Sequence, residues 1–360
     1  MSSKVALERT PLQVLGTGSA LPGPPVTTEM LLARMSPYLA PAIVSVARRL
    51  ARRLAIDSRH LSRPFAEPIE KPRLEDSAPR LAARALRRAL DFADVDSQAV
   101  DFLVGHTATP HTLLPSNTAW TADELGFAGP HLELRQACTG FAAAALTAAG
   151  LLSSHARAIA VVGSETGSVF FDPRHAAEDP RQLVNLVQMG DGAGAILLGP
   201  LEDPTASRIE LVFYGSSGLG RAPGLSLVEG GSGAPRVGGT GVPHFNHQFE
   251  NIRAQGFDLL RAALDAACAA GIDARTVDWF IPHQVNGRLP ELCAAHLGLP
   301  GERVVCEADV LGNLGSAAIW VALDRLRHSG RLGPHARVLV LGAEATKYLY
   351  GGFLYVHGTS

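Results

Sequence analysis

At 360 residues the chain has room for about two domains, or for one large duplicated one. With 46% hydrophobic and 18% charged residues it is too apolar for intrinsic disorder, and a net charge of −2 excludes the strongly basic footprint of a nucleic-acid binder. No apolar run reaches the roughly 18–20 residues that span a bilayer, and the opening MSSKVALERTPLQVLG lacks the apolar stretch of a secretory signal, so the expected location is the cytoplasm.

The glycine motif GTGSALPG (Gly16–Gly23) lacks dinucleotide-binding spacing and reads as a structural turn. The Ala- and Leu-rich stretch RALRRALDFADVDSQA predicts a helix, followed by the strand VDFLVG and by His106. His106 and the nearby His111 are read as core or loop residues. Cys138 follows the polar turn LELRQA and opens an Ala-rich helix running to about Leu152. Gly140 and Ala142–Ala145 have little bulk, as a closely packed central helix requires. The strands AIAVVG and AGAILLG (Ala193–Gly199) complete a first half. A polar linker, Leu201–Ser207, leads to the strand IELVFYG and to a Gly-rich stretch, Gly215–Gly241, read as a surface loop. The helix LRAALDAACAAGIDAR, the strand VDWFIP ending at His283, the turn PHQVNGRL and the helix PELCAAHLG come next. Then GNLGSAA opens a helix at Asn313, and the strand RVLVLG follows. Continuous apolar strands of this kind predict a sheet covered by helices on both faces.

Three matches run in the same order through the two halves. VDFLVGH (Val100–His106) resembles VDWFIPH (Val277–His283) at an offset of 177. CTGFAAAAL from Cys138 aligns with NLGSAAIWVAL from Asn313 at 175. HARAIAVVGSET (His155–Thr166) aligns with HARVLVLGAEAT (His335–Thr346) at 180 falling to 179. The chain is therefore read as an internal duplication, residues 1–200 and 201–360.

Equivalent elements of a duplicated fold meet across a pseudo-two-fold axis, so Cys138, His283 and Asn313 are expected to converge. A helix start favours the thiolate, the nucleophilic form of cysteine. An imidazole at a strand's carboxyl end is placed to bind a substrate oxygen or exchange a proton. Asn313 is either the cap of the helix that follows or an amide donor to a carbonyl. The four cysteines show no Cys-x-x-Cys spacing, so neither a zinc site nor a disulfide framework is expected. Cys268 and Cys293 are read as core residues of amphipathic helices, and Cys306 as a core residue of a strand.

QACTGFAAA, GDGAGAILLG, PHQVNGRL and GNLGSAA together resemble the β-ketoacyl-acyl carrier protein synthase III family of thiolase-fold condensing enzymes, over nearly the whole chain. The resemblance implies an internally duplicated five-layer αβαβα fold and a homodimer. It implies acyl-CoA or acyl carrier protein thioesters as substrates, with no metal or redox cofactor. Cys138 is then the acyl-accepting nucleophile, and His283 and Asn313 hold the thioester carbonyl of a malonyl-type extender. Arg288 matches a tunnel-mouth arginine that contacts the pantetheine carrier. Leu114 matches the position that floors the partner's acyl pocket, where a leucine permits a primer longer than acetyl. RRLAIDSRH (Arg52–His60) matches the coenzyme A-binding stretch and carries Arg53. The adenine-stacking tryptophan expected just upstream is replaced by Arg48 and Arg49, and this basic cluster suits an acidic carrier protein. The family's C-terminal glycine run is replaced by Ala343-Glu344-Ala345-Thr346-Lys347-Tyr348, with glycines only at Gly351-Gly352. These departures point to specialised lipid or secondary-metabolite biosynthesis. Acyl transfer to a hydroxyl or amine, with His283 as general base, is the alternative. A non-catalytic partner subunit is disfavoured by retention of Cys138, His283 and Asn313.

Overall fold

The structure is a computed structural model, and it describes residues 4–65, 74–154, 156–227, 229–232, 234 and 245–359. His155 and part of the Gly-rich stretch lie outside the described residues.

Two sets of strands carry the fold. In chain order the first set is Leu12–Ala20, Phe102–His106, His131–Leu134, Ile159–Glu165 and Gly192–Pro200. In the sheet they lie in the order three, two, four, five, one, parallel up to the fourth strand and antiparallel from there. The second set is Arg208–Ser216, Trp279–Pro282, Arg337–Glu344 and Leu349–Val356. These repeat the order two, four, five, one, and an isolated parallel bridge from Phe280 to Val304 occupies the place of strand three. The two first strands join the sets through Leu12 opposite Ile209 and Gln13 opposite Arg208. With Val5–Glu8, which pairs antiparallel with Arg208–Ser216, this gives among the described residues one ten-stranded sheet with the same topology written twice.

Helices fill the remaining layers. Ala78–Ala93 covers the outer face of the first set, burying Leu81, Ala82, Ala85, Leu86 and Ala89 at helical spacing. Phe249–Ala269 covers the second set. Between the two sets lie Gly140–Leu152 and Ala318–His328, which meet strands of both. The first is apolar nearly all round, as a helix buried on every side must be. Its Phe141 meets Trp320 of the second edge to face, ring centroids 6.0 Å apart, and Phe353 of the last strand lies 5.7 Å from the Trp320 ring and nearly parallel to it.

GTGSALPG departs from its sequence reading. Gly16 and Gly18 lie within the strand Leu12–Ala20, and the turn comes only after it. A Cβ on Gly16 would meet the Ala89 carbonyl oxygen at 2.2 Å, and one on Gly18 the Ala85 oxygen at 2.4 Å. These glycines let the Ala78–Ala93 helix settle onto the strand. The Gly-rich stretch is not wholly a surface loop either: Leu225–Leu227 pairs with Phe245–His247, and Leu225 and Phe245 face an interior cavity. Cys268 is exposed and Cys293 buried, although both sit in helices as read. Cys306 is half-buried in a loop, not in a strand, because the chain leaves the sheet after the single bridge at Val304.

Candidate active site

Cys138 sits in the turn between the strand His131–Leu134 and the central helix, which begins two residues later at Gly140. His106 packs beneath this turn. A Cβ on Gly140 would meet its Nδ1 at 2.4 Å, and its Nε2 accepts the Trp320 indole N–H at 2.9 Å. Burial holds the His106 imidazole down at about 3, so it is neutral, and its place is the core.

His283 follows directly on the strand Trp279–Pro282, its backbone N–H donating to the Leu341 carbonyl at 2.8 Å. Gln284 locks the turn, donating to the Pro282 carbonyl at 2.7 Å and accepting the Glu307 N–H at 2.7 Å. Burial lowers the His283 imidazole to about 4, and its Nδ1 has no hydrogen-bond partner. The ring is therefore neutral, and it lines the cavity described below.

The helix expected at Asn313 begins with a short turn, Gly315–Ala317, and continues as Ala318–His328. Asn313 Oδ1 accepts the Gly315 N–H at 3.0 Å, so the residue does cap this start. The same bond leaves the amide NH2 as the end available to the cavity. Gly315 has φ +51, and a Cβ there would lie 2.5 Å from Glu165 Oε2. Only glycine fits such a position without strain.

Cys138, His283 and Asn313 line a single cavity of about 670 Å³, together with Arg53 and Arg288. Arg288 Nε donates to the Arg53 carbonyl at 3.0 Å, and Gly287 N–H to the Leu54 carbonyl at 2.8 Å, which ties the His283 loop to the end of the helix Pro41–Leu54. In the basic cluster, Arg48 is already paired with Glu29 at 2.9 Å, whereas Arg49, Arg52 and Arg53 are exposed. Leu114 does not line this chain's own cavity. It stands 88% exposed on its loop, with Leu113 beside it.

Two cavity residues carry no role in the sequence reading. Glu165 and Glu344 end equivalent strands, 179 positions apart, and both are buried. Glu165 Oε2 accepts the Ser316 N–H at 3.0 Å and its hydroxyl at 2.8 Å, while Oε1 takes the Thr109 hydroxyl. Glu344 Oε2 accepts the Thr139 N–H at 3.0 Å and its hydroxyl at 2.7 Å, while Oε1 takes the Thr346 hydroxyl. Each repeat thus caps the central helix of the other. The signal lay in the aligned ends GSE and GAE at the smaller offset.

Burial first, and the carboxylates after it, run against the expectation of an acidic sulfur. Burial pushes the Cys138 thiol well above its usual range, and Glu344 and then Glu165 push the same way. A helix start acts in the opposite sense but supplies at most about 2 kcal/mol, and its first N–H here is spent on Glu344. Burial also raises the Glu165 carboxyl.

The fold and this site define a thiolase-fold condensing enzyme. Residues 132–218 match the family 3-oxoacyl-acyl-carrier-protein (ACP) synthase III, and residues 268–353 match the C-terminal domain of the same family. The chain belongs to this synthase III-like family of acyl-transferring condensing enzymes. Among solved structures it is similar to AbyA1, a tetronic acid condensing enzyme (28% identity, TM-score 0.80, 96% of this chain and 100% of that one). It is similar to the priming β-ketosynthase of the R1128 polyketide biosynthetic pathway (29% identity, TM-score 0.79, 98% of each chain). It also resembles 3-oxoacyl-(acyl carrier protein) synthase III, FabH, from Pseudomonas aeruginosa PAO1 (25% identity, TM-score 0.75, 97% of this chain and 98% of that one). Among the described residues no helix is long and apolar enough to cross a membrane, and no cluster of metal-ligating side chains occurs.

Proposed function

We propose that the protein is a ketosynthase III-like enzyme that joins an acyl group to a malonyl-type extender by decarboxylative Claisen condensation, in specialised lipid or secondary-metabolite biosynthesis. The observation that carries this reading is the single cavity lined by Cys138, His283 and Asn313. In the first step the Cys138 sulfur attacks the carbonyl of an acyl thioester. The donor thiol leaves with the cysteine's proton, and a new thioester remains on Cys138. In the second step the extender loses carbon dioxide, and the enolate's charge develops on its thioester oxygen. The neutral His283 ring and the Asn313 NH2 donate to that oxygen, the means by which developing charge is stabilised where it forms. The enolate carbon attacks the acyl carbon, the carbon–carbon bond forms, and the sulfur leaves as a thiolate that takes a proton from solvent. None of these steps uses a metal or redox cofactor.

Acyl-CoA or acyl carrier protein thioesters are the substrates of this reading, with Arg53 and Arg288 contacting the phosphopantetheine arm and the exposed Arg49 and Arg52 serving an acidic carrier. The enzyme works as a cytoplasmic homodimer in which Leu114 of one subunit floors the acyl pocket of the other. A series of acyl donors tests the last point: chains longer than acetyl should be the better primers, and an acetyl optimum would remove Leu114 from that role.

The central test is mass spectrometry after incubation with acyl thioesters. An acyl adduct is expected on the Cys138 peptide and is expected to vanish in Cys138→Ala. Release of carbon dioxide from a malonyl donor separates condensation from acyl transfer to a hydroxyl or amine, which retains the carboxylate.

A further inference from the structure

Glu344 stands where the resemblance expects a bare glycine run, and nothing in the two-step chemistry uses its carboxylate. It is 2% exposed, is the last residue of the second repeat's fourth strand, and reaches a residue 205 positions earlier in the chain. Its partner is Thr139, the neighbour of the nucleophile, bonded through both backbone N–H and hydroxyl. The Thr346 hydroxyl holds the other oxygen, so the carboxylate cannot swing away without losing three hydrogen bonds. A first-turn N–H is one of the donors a helix leaves unsatisfied, and here Glu344 takes it beside the nucleophile.

We propose that Glu344 is a positioning residue for the Cys138 sulfur: a carboxylate lent by the second repeat, it fixes the turn that carries the nucleophile and sets its own charge against a free thiolate. The resting sulfur is then a thiol, and the reactive anion forms only when substrate enters. The other titratable groups around the sulfur do not replace it in this role. Glu165, on the strand Ile159–Glu165, is engaged by Ser316 and Thr109. Tyr214, on Arg208–Ser216, accepts the Gln136 amide at 2.8 Å, and burial pushes its phenol up to about 12. His106 and His283 are neutral rings, and Arg53 and Arg288 line the arm of the cavity that meets the helix Pro41–Leu54. Burial and Glu344 act together to raise the thiol.

The catalytic meaning of this proposal rests on Cys138 as the acyl acceptor, but its deciding measurement needs no acyl donor. Iodoacetamide alkylates the sulfur as its thiolate: the S–C bond forms, iodide leaves, and the thiol proton goes to solvent. The rate at the Cys138 peptide is followed against pH by mass spectrometry, which separates it from the exposed Cys268. In the unaltered protein the midpoint is expected above the ordinary cysteine value of about 8.5. Glu344→Gln keeps an acceptor for Thr139 and removes the charge. Its midpoint is expected about one pH unit lower, with alkylation at neutral pH about threefold faster, because a less basic thiolate is also a weaker nucleophile. Glu344→Asp keeps the charge but falls one methylene short of Thr139, so its midpoint should stay high while acylation by a thioester slows. An unmoved midpoint in Glu344→Gln overturns the proposal. So does a midpoint at or below 8.5 in the unaltered protein, a measurement that stands even if the variants do not fold. Carbon dioxide release is scored separately, so failure of the condensation reading leaves this result intact.

Discussion

Asn313→Asp is expected to lower the decarboxylative step by about 10²–10³-fold while leaving acylation of Cys138 close to that of the unaltered enzyme. The replacement is isosteric, and its carboxylate still accepts the Gly315 N–H that Asn313 Oδ1 holds at 3.0 Å, so the start of the second central helix keeps its cap. What changes is the end facing the cavity, where an NH2 donor becomes a second acceptor oxygen. A donor aimed at a developing enolate stabilises it, whereas an acceptor there repels it. Acylation does not pass through that enolate. The two half-reactions are read independently, as adduct mass on Cys138 and as carbon dioxide from a malonyl thioester. Equal loss in both would assign Asn313 to folding of the site and not to the extender oxygen.

The second large effect is on stability. Trp320 is 1% exposed and ties the central layer together, with ring contacts to Phe141 and Phe353 and an indole N–H donated to His106 Nε2 at 2.9 Å. Trp320→Ala should cost about 3–5 kcal/mol, the usual range for emptying a large aromatic site in a core. Trp320→Phe keeps most of the packing and removes only the donor, leaving a buried imidazole nitrogen unmet. Its cost should be about 1–3 kcal/mol. Denaturant titrations followed at equilibrium compare the midpoints at a common slope. A loss below about 1 kcal/mol for the alanine variant would place the weight of the core elsewhere.

Much of this architecture is legible in the chain because a duplication repeats its own signals. VDFLVGH and VDWFIPH end as equivalent strands, and the helices that follow Cys138 and Asn313 form the middle layer. The convergence of Cys138, His283 and Asn313 on one cavity follows from that symmetry. Gly16 and Gly18 were misread because spacing alone does not separate a turn from a strand that must admit a helix backbone at close range. The acidity of Cys138 was misread for a different reason. A helix start is a local feature, but burial and a carboxylate bonded across 205 residues are not. The glutamates themselves stood in plain view as strand-end residues, a position where an acidic side chain ordinarily meets water.

The exchange of carboxylates between the repeats ties their interiors to one another. Glu165 satisfies Ser316 of the later half, and Glu344 satisfies Thr139 of the earlier one. Separated, either half would expose a helix whose opening donors had lost their acceptor and a glutamate whose company had gone. Each half therefore completes the interior of the other, and loosening either one would strand buried donors and a buried carboxylate in both.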